Sequence, residues 1–245
     1  MALNLGGGSL TSNYSSLQLG NAQSMLSQSL MRLSSGQRIN KPSDDPGGLA
    51  VSMKLKNAIT VTEATKRNVD NALSYTDTQD SALESVADIL DRMSTIKTSY
   101  GSGTATTSDK SSYASEFKEL QKQLDVFKSE TFNSLSLFSS SAVSKQVMIS
   151  SRGESGPTIS ISSLNISGAL SVSSTINLAN ATGSVTISGI SIGNLTTGIT
   201  QVASLRATSG ATSSRLQFSS DFLDTSKTNL EAANSRIMDL SLIHI

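Results

Sequence analysis

Leu55, Ala58, Thr62, Thr65, Val69, Ala72, Thr76, Gln79, Leu83, Val86, Leu90 and Met93 follow one another in alternating steps of three and four residues, without a break. That spacing holds one stripe on one side of an α-helix, and a stripe kept up over so many turns predicts a single long helix in a coiled-coil-like seam. The middle of the stripe is polar or small at Thr62, Thr65, Thr76 and Gln79. Such a seam is weak between two helices and suits several packed closely. The ordinary reading of a stripe like this is the chain's own core.

The same spacing recurs elsewhere. Leu19, Ala22, Leu26, Ser29 and Leu33 form a shorter stripe that Met25 and Leu30 widen. It reads equally as a helix packed in its own domain or as one awaiting a partner chain. Residues 3–12, rich in Gly and Ser, are expected to be mobile. After a Gly/Thr-rich loop at 101–107, Tyr113, Phe117, Leu120, Leu124 and Phe127 predict a shorter helix turning back on the long one. From Val202 the step returns through Leu205, Ser209, Thr212, Leu216, Ser219, Leu223, Ser226, Leu230, Ala233 and Ile237. There Leu alternates with small residues, which lets helices approach closely.

Between these helices the period drops to two. Val147 and Ile149, then Ile159 and Ile161, alternate with polar residues on either side of a turn at 151–157, predicting a β-hairpin that must lie against the helices to be stable. Residues 167–199 are rich in Ser, Thr, Gly and Asn with short β-like runs such as 185–192, and read as a small appended β element or a loosely ordered surface segment. Triplets of the N-glycosylation type begin at Asn165, Asn180 and Asn194, but in such a composition they carry little weight. The fold class is mainly α, a long coiled-coil-like antiparallel helical bundle or rod with a β-hairpin and a small Ser/Thr/Gly-rich β insert.

Residues 29–55, SLMRLSSGQRINKPSDDPGGLAVSMKL, form the joint of this arrangement. Gly36 is placed to end the first helix in the left-handed conformation of a C-terminal cap. Pro42 cannot continue a helix and pushes Lys41 toward extended backbone. Ser43 or Asp44 is then positioned to cap the next helix, with both Asp44 and Asp45 where the helix dipole favours negative charge. A metal or acid/base role for the two carboxylates lacks a nearby His and a third oxygen ligand.

Of the 245 residues only 4% are aromatic and none is Trp, which is thin for a compact domain and favours a spread-out, helix-on-helix core. Lys+Arg and Asp+Glu both number 19, so nothing draws the chain to nucleic acid or a charged membrane surface. There is no cysteine, hence no disulfide, thiol nucleophile or Cys-ligated metal. No run reaches the roughly 18 apolar residues of a spanning helix, and the first residues lack a secretory signal pattern. Export, if it happens, is expected to use a route without a cleaved signal peptide. Nothing in the sequence asks for a cofactor, and no catalytic grouping is present.

The joint also carries a family resemblance. SLMRLSSGQRIN at 29–40, with Asp44, Asp45 and GLA at 48–50, resembles the amino-terminal signature of bacterial flagellin. NLEAANSRIMD at 229–239 is similar to the start of its carboxy-terminal signature, and Phe132-Asn133 also fits. The likeness covers residues 15–166 and 200–239. It implies a structural subunit that self-assembles into the flagellar filament, leaves the cell through the flagellar type III export apparatus with an export chaperone, and meets hook-associated and cap proteins. It further implies an amino-terminal arm at 1–41 lining an inner tube, a helical core at 42–166 and 200–239, and a short variable insert at 167–199. Leu26, Arg32, Leu33, Gly36, Arg38, Asn40, Asp44 and Asp45 would lie at subunit contacts or the joint, with Arg32 and Arg38 bridging to a neighbour's carboxylates. Leu90, Arg92, Ile96 and Glu116 align with the region that innate immune receptors read in the family. Ser94 and Thr95 depart from its pattern.

Two further expectations concern the end of the chain. The family continues into a helix that pairs with the amino-terminal one, so the chain is expected to be truncated and residues 19–33 to lack a mate and to be disordered in the monomer. Residues 240–245, LSLIHI, break the pattern, hold the single His at 244 and read like a translated sequencing adapter, hence a non-native tail. Rival readings are a hook-filament junction protein and a receptor-binding or adhesive surface protein. The zinc-protease motif carried by some flagellins needs paired His residues absent from the variable region.

Overall fold

A computed structural model describes residues 7–140, 143–151, 156–172, 177–179 and 185–241. Their order is α1 (Gly7–Ser35), α2 (Pro46–Tyr100), α3 (Thr107–Phe127), β1 (Thr131–Phe132), β2 (Leu135–Ser136), β3 (Ser144–Met148), β4 (Thr158–Ser162), α4 (Ile166–Leu170), a 3-10 turn at Ile187–Gly189, and α5 (Ile192–Met238). α2 is unbroken, so the single stripe is a single helix. The chain divides into two compact units, Met1–Val61 with Thr225–Ile245, and Thr62–Asp224.

The second unit holds the main core. Every stripe residue from Thr62 to Met93 is buried there, together with Phe117 and Leu124 of α3 and Val202, Leu216 and Leu223 of α5. The polar centre of the seam has partners of its own. The Gln79 amide donates to the Leu137 carbonyl at 2.7 Å, the Ser209 hydroxyl to the Thr76 carbonyl at 3.3 Å, and the Tyr75 hydroxyl to the Ser136 carbonyl at 2.8 Å. A buried carbonyl left unpaired costs about 1–3 kcal/mol, so these side chains let irregular backbone be laid on the helices. α2 and α5 are also tied by Arg206, whose guanidinium meets both Asp80 oxygens at 3.0 Å, and by Lys66, 3.2 Å from Asp224. Both cations are held above their ordinary pKa by these carboxylates.

The predicted hairpin is β3 paired antiparallel with β4, with Val147 opposite Ile159 and Lys145 opposite Ile161. Ile159 and Ile161 are buried in the core. Its turn at 152–155 lies outside the described residues. A second, tighter hairpin joins β1 to β2 through Asn133 and Ser134, whose φ angles of 47° and 63° are those of a two-residue turn of the type that matches strand twist.

Three local expectations change. The helix α1 begins at Gly7, inside the segment expected to be mobile, and residues 19–33, expected to be disordered, are helical. Among the described residues of 167–199 no strand forms beyond one bridge, Ser171 with Asn177. Instead Leu178, Val185, Ile187, Ile190 and Leu195 are buried in the core, and the carbonyls of Val185 and Ile187 accept from Gln121 and Lys97. The described part of the insert is packed against the core. Lastly, α5 starts ten residues before Val202, because Ser191 and Asn194 cap it reciprocally: the Asn194 N–H donates to the Ser191 hydroxyl at 3.1 Å and the Ser191 N–H to the Asn194 side chain at 2.9 Å. Asn165 likewise caps α4, its side chain accepting from the Gly168 N–H at 2.7 Å. Asn180 and His244 lie outside the described residues.

Candidate subunit interface

The joint belongs to the first unit and is built from the end of α1 outward. Gly36, at φ +68°, closes α1 with its N–H on the Arg32 carbonyl at 2.9 Å. The chain then runs beside the end of α5, where Gln37 bridges Asp239 and the Leu240 N–H reaches the Gly36 carbonyl at 3.0 Å. Arg38 supplies its backbone N–H to the Met238 carbonyl at 2.6 Å and its guanidinium to the Ile237 carbonyl at 2.9 Å. Both carbonyls belong to a last helical turn that has no internal donors, and a cation there suits the helix dipole. Ile39 and Met238 are buried beneath this contact, and the Ser52 hydroxyl of α2 donates to the Asn234 side chain of α5 at 2.7 Å.

Asp44 is the hub. One carboxylate oxygen accepts the backbone N–H groups of Asn40 and Lys41 at 3.1 and 3.0 Å, and the other accepts the Gln28 amide at 3.0 Å and lies 3.9 Å from Arg32. Asn40 adds a bond to the Ser35 hydroxyl at 2.8 Å. The Lys41 and Asn40 N–H groups, with smaller help from Arg32 and Gln28, hold the Asp44 carboxyl below its ordinary 3.8. Because the folded-state value is the lower one, this bonding is fully present above the ordinary carboxylate range and is lost as pH falls through the depressed value. Acidification through that depressed value should therefore release α1 from the 40–44 turn. Amide exchange at Asn40 and Lys41, followed by NMR across pH 2–6, checks this.

The capping assignment is corrected at this point. Asp45 caps α2, accepting the Gly48 N–H at 2.8 Å, while its carbonyl accepts from Leu49 at 3.0 Å. Pro46 occupies the first helical position, where its missing N–H is harmless. Ser43 takes no part in the capping bonds. A Cβ at Gly48 would meet the Asp45 carboxylate and press on Ile39, so this glycine is required by close approach. Asp45→Ala should cost about 0.5–2 kcal/mol in chemical denaturation, the usual loss of an N-cap.

Leu26 and Leu33 do not join this network. With Leu19 and Leu30 they face solvent, each between 53% and 63% exposed. The structure thus brings Arg32, Gly36, Arg38, Asn40, Asp44 and Asp45 together around the joint and leaves the apolar stripe of α1 uncovered. Arg32 and Arg38, expected to bridge to a neighbour, are engaged within the chain. Gln28 was missed by sequence reasoning, although it lies one turn before Arg32 on the same side of the helix.

In the second unit, Leu90 and Ile96 are buried core residues and offer nothing to a partner. Only Arg92 and Glu116 stand at the surface, in an ion pair at 2.6 Å between α2 and α3. Among the described residues no group of three or more His, Cys, Asp or Glu is placed to hold a metal ion, and no helix is long and apolar enough to cross a membrane.

Comparison with known proteins gives this geometry a family. Residues 10–142 match the bacterial flagellin N-terminal helical region, and residues 192–242 match the bacterial flagellin C-terminal helical region. A flagellin of Halalkalibacterium halodurans is 29% identical over 216 residues, covering 88% of this chain and 78% of the relative. A flagellar filament 30.7 kDa core protein of Treponema maltophilum is 26% identical over 244 residues, covering 95% and 85%. The crystal structure of Bacillus cereus flagellin superposes with a TM-score of 0.53 at 26% identity, covering 69% of this chain and 94% of that one. A putative flagellar hook-associated protein of Vibrio parahaemolyticus shares the fold, with a TM-score of 0.66 at 13% identity, covering 80% of this chain and all of that one. The chain belongs to the bacterial flagellin family and is a structural subunit of the flagellar filament.

Proposed function

We propose that the chain polymerises with copies of itself through the apolar stripe of α1, and that the joint at residues 36–45 sets the direction in which that stripe is presented. The observation that carries this is the uncovered row Leu19, Leu26, Leu30 and Leu33 on a helix fastened at its end by Asp44 and Gly36. Single exposed leucines are unremarkable, but a contiguous row on one helix asks for a cover. In this reading residues 1–41 form the inner wall of the filament. Contacts of this head-to-tail kind, which do not close on themselves, give open helical polymers. The filament works outside the cell as a propeller, the subunit having left through the type III export apparatus, with an export chaperone. Hook-associated and cap proteins then meet its ends. It has no enzymatic role and takes no cofactor, nucleic acid or membrane. Arg92 and Glu116 are the residues through which an innate immune receptor would read it.

Seeding the purified chain with filament fragments and imaging by electron microscopy tests the assignment. Filaments that lengthen support it; no polymer under any seeding condition overturns it. In the unassembled chain, hydrogen exchange should be fast along α1, which has no buried face to protect it, and slow at 69–96 of α2. Equal protection of the two would contradict the uncovered stripe.

A further inference from the structure

Two of the chain's few aromatic side chains are spent on solvent. Phe218 and Phe222 of α5, one helical turn apart, are 73% and 64% exposed, next to Ile149 and Pro157 at the tip of the β3–β4 hairpin. Elsewhere in the same unit lies an apolar groove of about 320 Å³, walled by Ala72 and Tyr75 of α2, Phe132 and Leu135 of the small hairpin, and Val147 of β3. Lys145 stands at its edge with its ammonium 5.0 Å over the Tyr75 ring. One surface is a pair of aromatic knobs and the other a hole lined by aromatic and aliphatic side chains.

We infer that the Phe218–Phe222 knob of one copy seats in the Tyr75–Phe132–Leu135 groove of another. The inference rests on the filament assignment, which brings copies of the chain together. Charge suits this occupant: Asp221, whose carboxylate accepts the Gln217 amide at 3.1 Å, puts a negative charge between the two phenylalanines, and Lys145 puts a positive one at the edge of the groove. The knob and the groove are different surfaces of one unit, so the contact is heterologous and repeats from copy to copy instead of closing a dimer. Aromatic anchors entering a dry pocket are the usual bearers of binding energy at protein interfaces.

The absence of cysteine makes the test clean. Full-length chains carrying Phe218→Cys alone and Asn71→Cys alone, the latter at the exposed groove rim, are mixed, seeded with filament fragments, and treated with a short bis-maleimide. The expected result is a Phe218→Cys to Asn71→Cys cross-link between different chains, appearing with the polymer and absent from unassembled subunits. Polymer without that cross-link, or with Phe218→Cys joined only to itself, overturns the knob-in-groove contact while leaving the filament assignment standing. Absence of any polymer from the unsubstituted chain overturns both. In a second measurement, Phe218→Ser with Phe222→Ser should raise the subunit concentration needed for growth by roughly tenfold or more, since two anchors are lost. The melting of the isolated chain should not move, because neither ring is buried in it. Unchanged growth would sink the proposal.

Discussion

Leu26→Asp combined with Leu33→Asp abolishes filament growth and leaves the isolated chain as stable as before. Both side chains are more than half exposed in the lone subunit, and surface substitutions away from caps and networks usually stay within about 0.5 kcal/mol. In the polymer the same positions would be buried against another copy, and an unpaired carboxylate placed there carries a desolvation penalty of several kcal/mol. Two such penalties per subunit, repeated along a filament, exceed what any ordinary contact can return. Circular dichroism melting of the variant alongside sedimentation after seeding separates the two effects. A variant that still pellets as polymer would show that the α1 stripe is not an assembly face.

The second large effect lies in the core of the other unit. Leu90→Ala should destabilise the chain by about 2–5 kcal/mol, because Leu90 is fully buried in the core of this unit and a cavity there is only partly refilled by its neighbours. Urea unfolding reads this directly. Arg92→Ala, two residues away, should lose only about 0.2–1 kcal/mol with its exposed ion pair to Glu116. The contrast matters for any receptor assay. A loss of recognition in Leu90→Ala would report unfolding, whereas a loss in Arg92→Ala at unchanged stability would report contact.

Much of this was legible in the residues, and the reason is periodicity. Thr62, Thr65, Thr76 and Gln79 were placed on the buried stripe by their spacing alone, against their polarity, and all are buried. Gly36 was identified as a cap because few other residues tolerate its left-handed backbone. Two adjacent aspartates defeated the same kind of reasoning. Local rules allow either to cap α2, and the deciding feature is Pro46, which fits only immediately after the cap. That signal was present and unread, as was the Ser191 and Asn194 pair that starts α5 early. The packing of residues 185–190 was not legible at all. Their carbonyls are taken by Lys97 and Gln121, which lie 90 and 64 residues away, and no window on the sequence shows such partners. Val185 and Ile187 alternate like a strand, but Ile187 and Ile190 reach the core three residues apart, the spacing of a 3-10 turn.

The polar pins across the α2 and α5 seam do more than satisfy carbonyls. Two helices whose stripes repeat every seven residues resemble two identical rulers, which can be laid together at several offsets with similar apolar contact. The Ser209–Thr76 bond and the Arg206–Asp80 fork exist at one offset only. Sliding α5 by a heptad would strand the buried Ser209 hydroxyl and separate a bidentate ion pair. The costs are about 1–3 kcal/mol for each orphaned group. What makes the middle of the seam a poor grip also makes it a vernier, so a subunit built from repetitive helices comes to one length, and every copy along a filament presents its surfaces at the same height.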